Sequence, residues 1–153
     1  MSKGVVRALG GILAVLALTL AAAGCGGGDD TTASLTPAQF KKQANAICNE
    51  QTEKRNQEIR EAIKGLPKEK LLPKKDREEL VLQTLPKYAE TPEKLRALGA
   101  PEGDEEEVEA IAKAMEEATR KVEADPAQAL VSTQQFFEAS KLAAEYGLEE
   151  CII

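Results

Sequence analysis

From residue 36 onward, apolar residues return at three- and four-residue steps, the spacing of helices with one buried face. The first predicted helix starts at Thr36 as N-cap, with Pro37 as first helical residue and Gln39 completing a capping box. Leu35 and Phe40 fit a hydrophobic staple across that start. The stripe continues through Ala44, Ile47, Cys48, Ile59, Ala62 and Ile63, and Gly65 and Pro67 end it. Residues 66–75 form a Pro- and Lys-rich connection. A second segment begins near Asp76 and carries Leu80, Val81, Leu85, Tyr88, Leu95 and Leu98. Pro86 and Pro92 interrupt it, so it is either kinked at Pro86 or broken at Thr91-Pro92, with Thr91 capping a new turn.

Gly99-Ala100-Pro101-Glu102-Gly103 is a turn, after which Asp104 is the expected N-cap of a third helix, with Glu107 at the reciprocal position. Val108, Ile111, Ala112, Met115, Ala118, Thr119 and Val122 share one face of this helix. Glu109–Lys113, Glu116–Arg120 and Glu117–Lys121 are four-residue charge pairs in the favourable order. Asp125-Pro126 closes it. A fourth helix is expected over about residues 133–146, with a lead-in from Ala127 and a stripe of Phe136, Ala139, Ser140, Ala143 and Tyr146. Gly147 follows as the residue free to take positive φ. Phe136 and Phe137 cannot face the same way, which leaves one of them towards solvent. The expected fold is all-α, an antiparallel four-helix bundle over residues 36–153.

The start of the chain follows a different pattern. Lys3 and Arg7 precede an uncharged run over residues 8–24, which ends in Ala22-Ala23-Gly24-Cys25. This layout resembles the export signal and lipobox of lipid-anchored bacterial lipoproteins. The resemblance implies that residues 1–24 are a lipoprotein signal peptide and that Cys25 is the lipidation site and new N-terminus. It further implies a diacylglycerol thioether with two chains of the palmitate type, enough to hold a protein stably on a bilayer. Two other readings stay open: an uncleaved membrane anchor and a plain secretory signal cut at an A-x-A site. All three place the following domain outside the cytoplasm, because the positive charges stay inside. Residues 25–35 then form the anchor and a flexible tether rich in Gly, Asp and Thr.

Charge and cysteine usage narrow the picture. Loss of residues 1–24 takes two of the twenty basic residues and none of the 26 acidic ones, so the net charge moves from −6 to −8. Such a surface argues against nucleic acid and anionic headgroups as partners. Aromatics are few and Trp is absent, so the core is built from Ala, Leu, Ile and Val. With Cys25 lipidated, Cys48 and Cys151 remain, and outside the cytoplasm a disulfide between them is expected. It would close a loop of about 100 residues and stabilise the domain by about 4–5 kcal/mol through chain entropy. In an up-down-up-down bundle, the early part of helix 1 and the end of helix 4 lie at one end, consistent with that bridge.

Ala44-Asn45-Ala46-Ile47-Cys48, Leu95-Arg96-Ala97-Leu98 followed by Pro101-x-Gly103-Asp104-Glu105, and Ala139-Ser140-Lys141-Leu142 with Tyr146-Gly147-Leu148 and Cys151 together form a pattern. It resembles small lipid-anchored lipoproteins of actinobacteria-like species. The resemblance covers most of residues 36–151. It implies a helical, disulfide-linked envelope protein and no particular activity.

The chemistry available is limited by the absence of histidine. Without imidazole there is no Ser-His-Asp or Cys-His arrangement and no Glu-x-x-His di-iron motif. Gly26-Gly27-Gly28 precedes no strand and is tether rather than phosphate loop. Asp104-Glu105-Glu106-Glu107 lacks the spacing of a calcium loop and suits a first helical turn. Lys68, Lys70, Lys74, Lys75 and Arg77 form a basic segment, best read as a solvated loop. Gln51 and Arg55 continue the helix 1 stripe between Ile47 and Ile59, either lining a small-ligand pocket or lying at the core boundary with the Arg55 stem packed. No cofactor, metal or catalytic residue is expected. The expected function is a non-catalytic binding module of the cell envelope that takes a protein or small-ligand partner. A passive spacer lipoprotein is the alternative, and a carboxylate-only envelope enzyme is third.

Overall fold

A computed structural model describes residues 34–66 and 72–153. Residues 1–24, Cys25, most of the expected tether, and Lys68 and Lys70 lie outside the described residues. The described residues are helical, without strands, and no helix among them is long and apolar enough to cross a membrane. The elements are α1 (Pro37–Ala62), α2 (Lys74–Ala89), α3 (Thr91–Leu98), α4 (Glu105–Ala124), α5 (Pro126–Ala129) and α6 (Phe137–Tyr146). Short 3₁₀ turns at Gln134–Phe136 and Glu149–Cys151 flank α6.

The start of α1 forms as expected. The Thr36 hydroxyl accepts from the Gln39 N–H, and the Gln39 side chain accepts from the Thr36 N–H. Leu35 packs partly buried against the core that holds Phe40. The buried stripe is Phe40, Ala44, Cys48 and Gln51. It fades towards the C-terminus, where Ala62 and Ile63 are exposed rather than core.

Of the two outcomes foreseen for the second segment, the break occurs. Pro86 lies inside α2, and a break follows at Glu90. Thr91 is not the cap of α3. It is the first helical residue, with Pro92 next, and its hydroxyl lies 3.5 Å from the Lys87 carbonyl. The missing N–H of Pro92 falls where a helix start has no use for one.

α4 buries Val108, Ile111, Ala112, Met115, Ala118, Thr119 and Val122, the face its periodicity predicts. Its expected capping box does not form. Asp104 is the N-cap residue, but its side chain makes no capping bond. The carboxylate instead accepts a 2.6 Å hydrogen bond from the Tyr146 hydroxyl, a stronger partner than a backbone amide at a wet helix end. The Glu116–Arg120 pair is also replaced. Arg96 on α3 donates to Glu116 at 2.5 Å and twice to Glu109, at 2.8 and 3.1 Å. A forked guanidinium held between two carboxylates outcompetes a flexible pair along one helix. Glu109–Lys113 and Glu117–Lys121 do form.

The expected fourth helix is shorter than its pattern. α5 stops at Ala129, residues 130–133 are irregular, and α6 begins only at Phe137. Phe136 is buried and Phe137 is 67% exposed. At its end α6 closes in a Schellman arrangement. Gly147 takes φ 91°, its N–H donates to Ala144, and the Leu148 N–H donates to Ala143. Leu148, the apolar residue after the turn, is fully buried.

α4 is the hub of the core, packing against α2, α3, α5 and α6. α1 packs against α2, α3 and the Glu149–Cys151 turn. That last contact brings Cys48 and Cys151 to disulfide distance, with Cα atoms 5.0 Å apart. Asn45 reinforces it, donating to the Gly147 carbonyl at 3.2 Å and accepting from the Glu150 N–H at 2.8 Å.

Candidate functional site

The candidate site grows from one departure from apolar periodicity. After Phe40, Ala44 and Cys48, the next inward position of α1 is Gln51, which is 3% exposed. One further turn places Arg55 on the same side, half-buried. Across from them, α2 contributes Tyr88, and the α2–α3 break contributes Thr91. The C-terminal turn supplies Glu150, Cys151 and Ile153. Together these groups line a cavity of about 20 Å³ beside the Cys48–Cys151 pair.

Its polar atoms are under-used. Gln51 Oε1, Arg55 Nε and Tyr88 Oη are all buried, and none has a hydrogen-bond partner. Leaving one such group unpaired typically costs about 1–3 kcal/mol, so three on residues that line one cavity concentrate a cost to the core there. The other end of the Gln51 amide faces Glu90, with Nε2 3.5 Å from Oε2. Burial pushes the Tyr88 phenol up from its usual pKa, and the neighbouring Arg55 charge opposes that shift. Tyr88 therefore stays protonated and able to donate.

The sequence reading singled out Gln51 and Arg55, and both line this cavity. It placed Tyr88 only in an apolar stripe. The signal for its second role is general, since a buried tyrosine hydroxyl usually finds a partner. Cys48 and Cys151, read as a staple, also form part of the cavity wall. Cys25 lies outside the described residues. The acidic run is split by the structure: Asp104 serves Tyr146, and Glu105 accepts from the Gly103 N–H at 2.9 Å. No group of three or more metal-ligating side chains occurs among the described residues. Of the basic segment, Lys74, Lys75 and Arg77 belong to the first turn of α2.

A second, shallower feature lies on the outside. Phe137 and Ile153 line a broad groove with Ala124, Gln128 and Thr133. Val131, 80% exposed, adds to the apolar surface that the described residues present to solvent.

Comparison with protein-family models, with curated proteins and with solved structures finds no match to this chain.

Proposed function

We propose that this chain is a lipid-anchored binding module of the bacterial cell envelope, acting without catalysis. In this reading residues 1–24 are removed, Cys25 carries the lipid, and a tether up to residue 35 holds a domain of residues 36–153 outside the cytoplasm. The domain is an antiparallel four-helix bundle in which α2 and α3 together form one arm. The packing of α1 with α2, α2 with α4, α4 with α6, and the C-terminal turn back onto α1 supports that arrangement. The Cys48–Cys151 pair is a disulfide in the oxidising space beyond the membrane.

The observation that carries the binding role is the cavity lined by Gln51, Arg55 and Tyr88, three side chains that each bury a polar atom without a protein partner, Gln51 Oε1, Arg55 Nε and Tyr88 Oη. A passive spacer has no use for such an arrangement, whose polar groups weaken the core unless something satisfies them. The groove around Phe137 and Ile153 favours a second reading, a protein partner on the outer surface.

The test is native mass spectrometry of the full protein extracted gently from its own membrane. The expected spectrum shows the diacylglycerol mass on Cys25 and a reproducible further mass that disappears in Gln51→Leu. A lipidated chain with no added mass favours the spacer role. A chain without lipid overturns the anchor.

A further inference from the structure

The residues from Tyr146 to Cys151 climb the first helix in step. Tyr146 packs edge-on against Phe40, with ring centres 6.0 Å apart, and the Lys41 ammonium lies 4.7 Å from the same ring. One turn further along α1, Asn45 meets the residues that follow Tyr146. Its side-chain N–H donates to the Gly147 carbonyl at 3.2 Å, and its carbonyl oxygen accepts from the Glu150 N–H at 2.8 Å. The next inward position of α1 is Cys48, and the residue after Glu150 is Cys151. Lys41, Asn45 and Cys48 therefore follow one another up neighbouring turns of α1, and their contacts on the chain end advance in the same order.

The Asn45 amide has one workable orientation. Turned over, it would set N–H against the Glu150 N–H and oxygen against the Gly147 carbonyl. The two bonds join residues 102 and 105 positions apart. Neither involves sulfur, so both can form while the cysteines are still thiols. Leu148 is fully buried, and its carbonyl accepts from the Cys151 N–H at 3.0 Å. The cysteines are 103 positions apart in sequence, with Cα atoms 5.0 Å apart. The entropy of closing that long loop is then lost in folding, before any sulfur reacts.

We propose that Asn45 is a positioning residue for oxidation: its amide holds the C-terminal turn so that Cys151 lies against Cys48 in the folded thiol form, and the bridge closes by exchange with a small disulfide. The first cysteine thiolate attacks the small disulfide, releases one of its sulfurs as a thiol and forms a mixed disulfide. The second cysteine attacks that mixed disulfide and releases the other sulfur as a thiol. The two cysteine protons end on the two released thiols, and the reagent is reduced as the pair is oxidised. This rests on the reading of Cys48 and Cys151 as a disulfide and names what sets its strength.

The experiment is a thiol–disulfide equilibrium on the full protein isolated from its membrane in detergent. Mixtures of reduced and oxidised dithiothreitol set the poise, approached from both sides. Free thiols are trapped with iodoacetamide, and peptide mass spectrometry reads Cys48 and Cys151 separately from Cys25. Far-UV circular dichroism checks that each variant is folded. Asn45→Ala should lower the equilibrium constant for closing the bridge about tenfold, because its thiol form releases a turn that the disulfide form must keep. Thr36→Ala loses a helix cap away from the turn. It should weaken both forms alike and leave the constant unchanged. Asn45→Asp keeps the acceptor for Glu150 and loses the donor to Gly147. It should show a smaller loss of the same sign, and it serves if Asn45→Ala does not fold. An unchanged constant in the folded Asn45 variants overturns the proposal. Equal falls in Asn45→Ala and Thr36→Ala also overturn it, since they mean that the thiol form is unfolded and nothing is positioned. Cys48 and Cys151 unpaired in every mixture overturn the disulfide reading itself, and the proposal with it.

Discussion

The two buried tyrosines of this domain sit in matching surroundings and end in opposite chemical states. Tyr146 packs edge-on against Phe40, with ring centres 6.0 Å apart, and Tyr88 packs edge-on against Phe136 at 5.2 Å. Tyr146 finishes its hydrogen bonding within the protein, donating to Asp104 at 2.6 Å. The Lys41 ammonium caps its ring at 4.7 Å. Tyr88 has the same apolar body, but its hydroxyl is buried with no protein partner. The Tyr146 corner is therefore closed and contributes to stability. The Tyr88 hydroxyl is left without a protein partner, which accords with the proposed binding role.

That contrast is open to direct attack. The largest effect belongs to the proposed Cys48–Cys151 bridge beside Tyr88. Cys48→Ser or Cys151→Ser should lower stability by about 4–5 kcal/mol in denaturant unfolding, from the loss of a constraint on a loop of about 100 residues. The double variant should lose no more than either single one. Additive losses would mean that the cysteines act separately.

Tyr146→Phe comes next. It removes a hydrogen bond to a charged acceptor and should cost about 1.5 kcal/mol, at the low end of the range because Asp104 is free to rehydrate. Thr36→Ala, at the same end of α1 as Phe40, should cost about 1 kcal/mol by losing the reciprocal cap. Tyr88→Phe should lose no stability and should gain about 1 kcal/mol or more, because it removes a buried hydroxyl that has no protein partner. Equal losses for the two tyrosines would erase the distinction drawn between them.

Acidity provides a finer measure. Tyr146 is raised by burial first and by the Asp104 hydrogen bond and charge second, and Tyr88 is raised by burial. A raised folded-state value means that stability is complete below the unfolded tyrosine pKa. It is then lost as pH climbs from about 10 towards the folded values. Chemical unfolding at stepped pH should show that alkaline decline, and either Phe variant should make it shallower. On the acid side, the Arg96 hydrogen bonds hold Glu109 and Glu116 below the usual carboxylate range. Their contribution is present above about pH 4.5 and fades as pH falls through the lowered values. Arg96→Met should flatten that acid limb and, since these groups face water, should matter less in high salt. Lying apart from both tyrosines, it is the control that should leave their alkaline behaviour unchanged.

Much of the helical layout was legible because it depends on neighbours in sequence. The Thr36–Gln39 box, the seven-residue face of α4 and the positive φ at Gly147 all follow from residues within a few positions of one another. Where the reading went astray, a distant group had intervened. Tyr146 drew Asp104 away from its cap, and Arg96 drew Glu116 away from Arg120. The fourth helix started late because Phe136 is buried through a 3₁₀ turn rather than from the first turn of a continuous helix. The candidate site was half legible. Gln51 and Arg55 were visible as polar residues on an apolar stripe, whereas Tyr88 looked like ordinary core.

Taken alone, the sequence determined most of the helices, most of their inward faces and the pairing partner expected for Cys48 and Cys151. These depend on backbone periodicity, capping chemistry and composition, which act over a turn or two or through simple counting. Only the tertiary structure decided which polar groups are satisfied. Whether the Tyr146 hydroxyl meets Asp104, and whether the Tyr88 hydroxyl meets any protein group, depends on distances of a few ångströms between residues far apart in the chain. Two tyrosines that each pack edge-on against a phenylalanine thus became one whose hydroxyl is bonded and one whose hydroxyl has no protein partner, because packing put a carboxylate beside only the first.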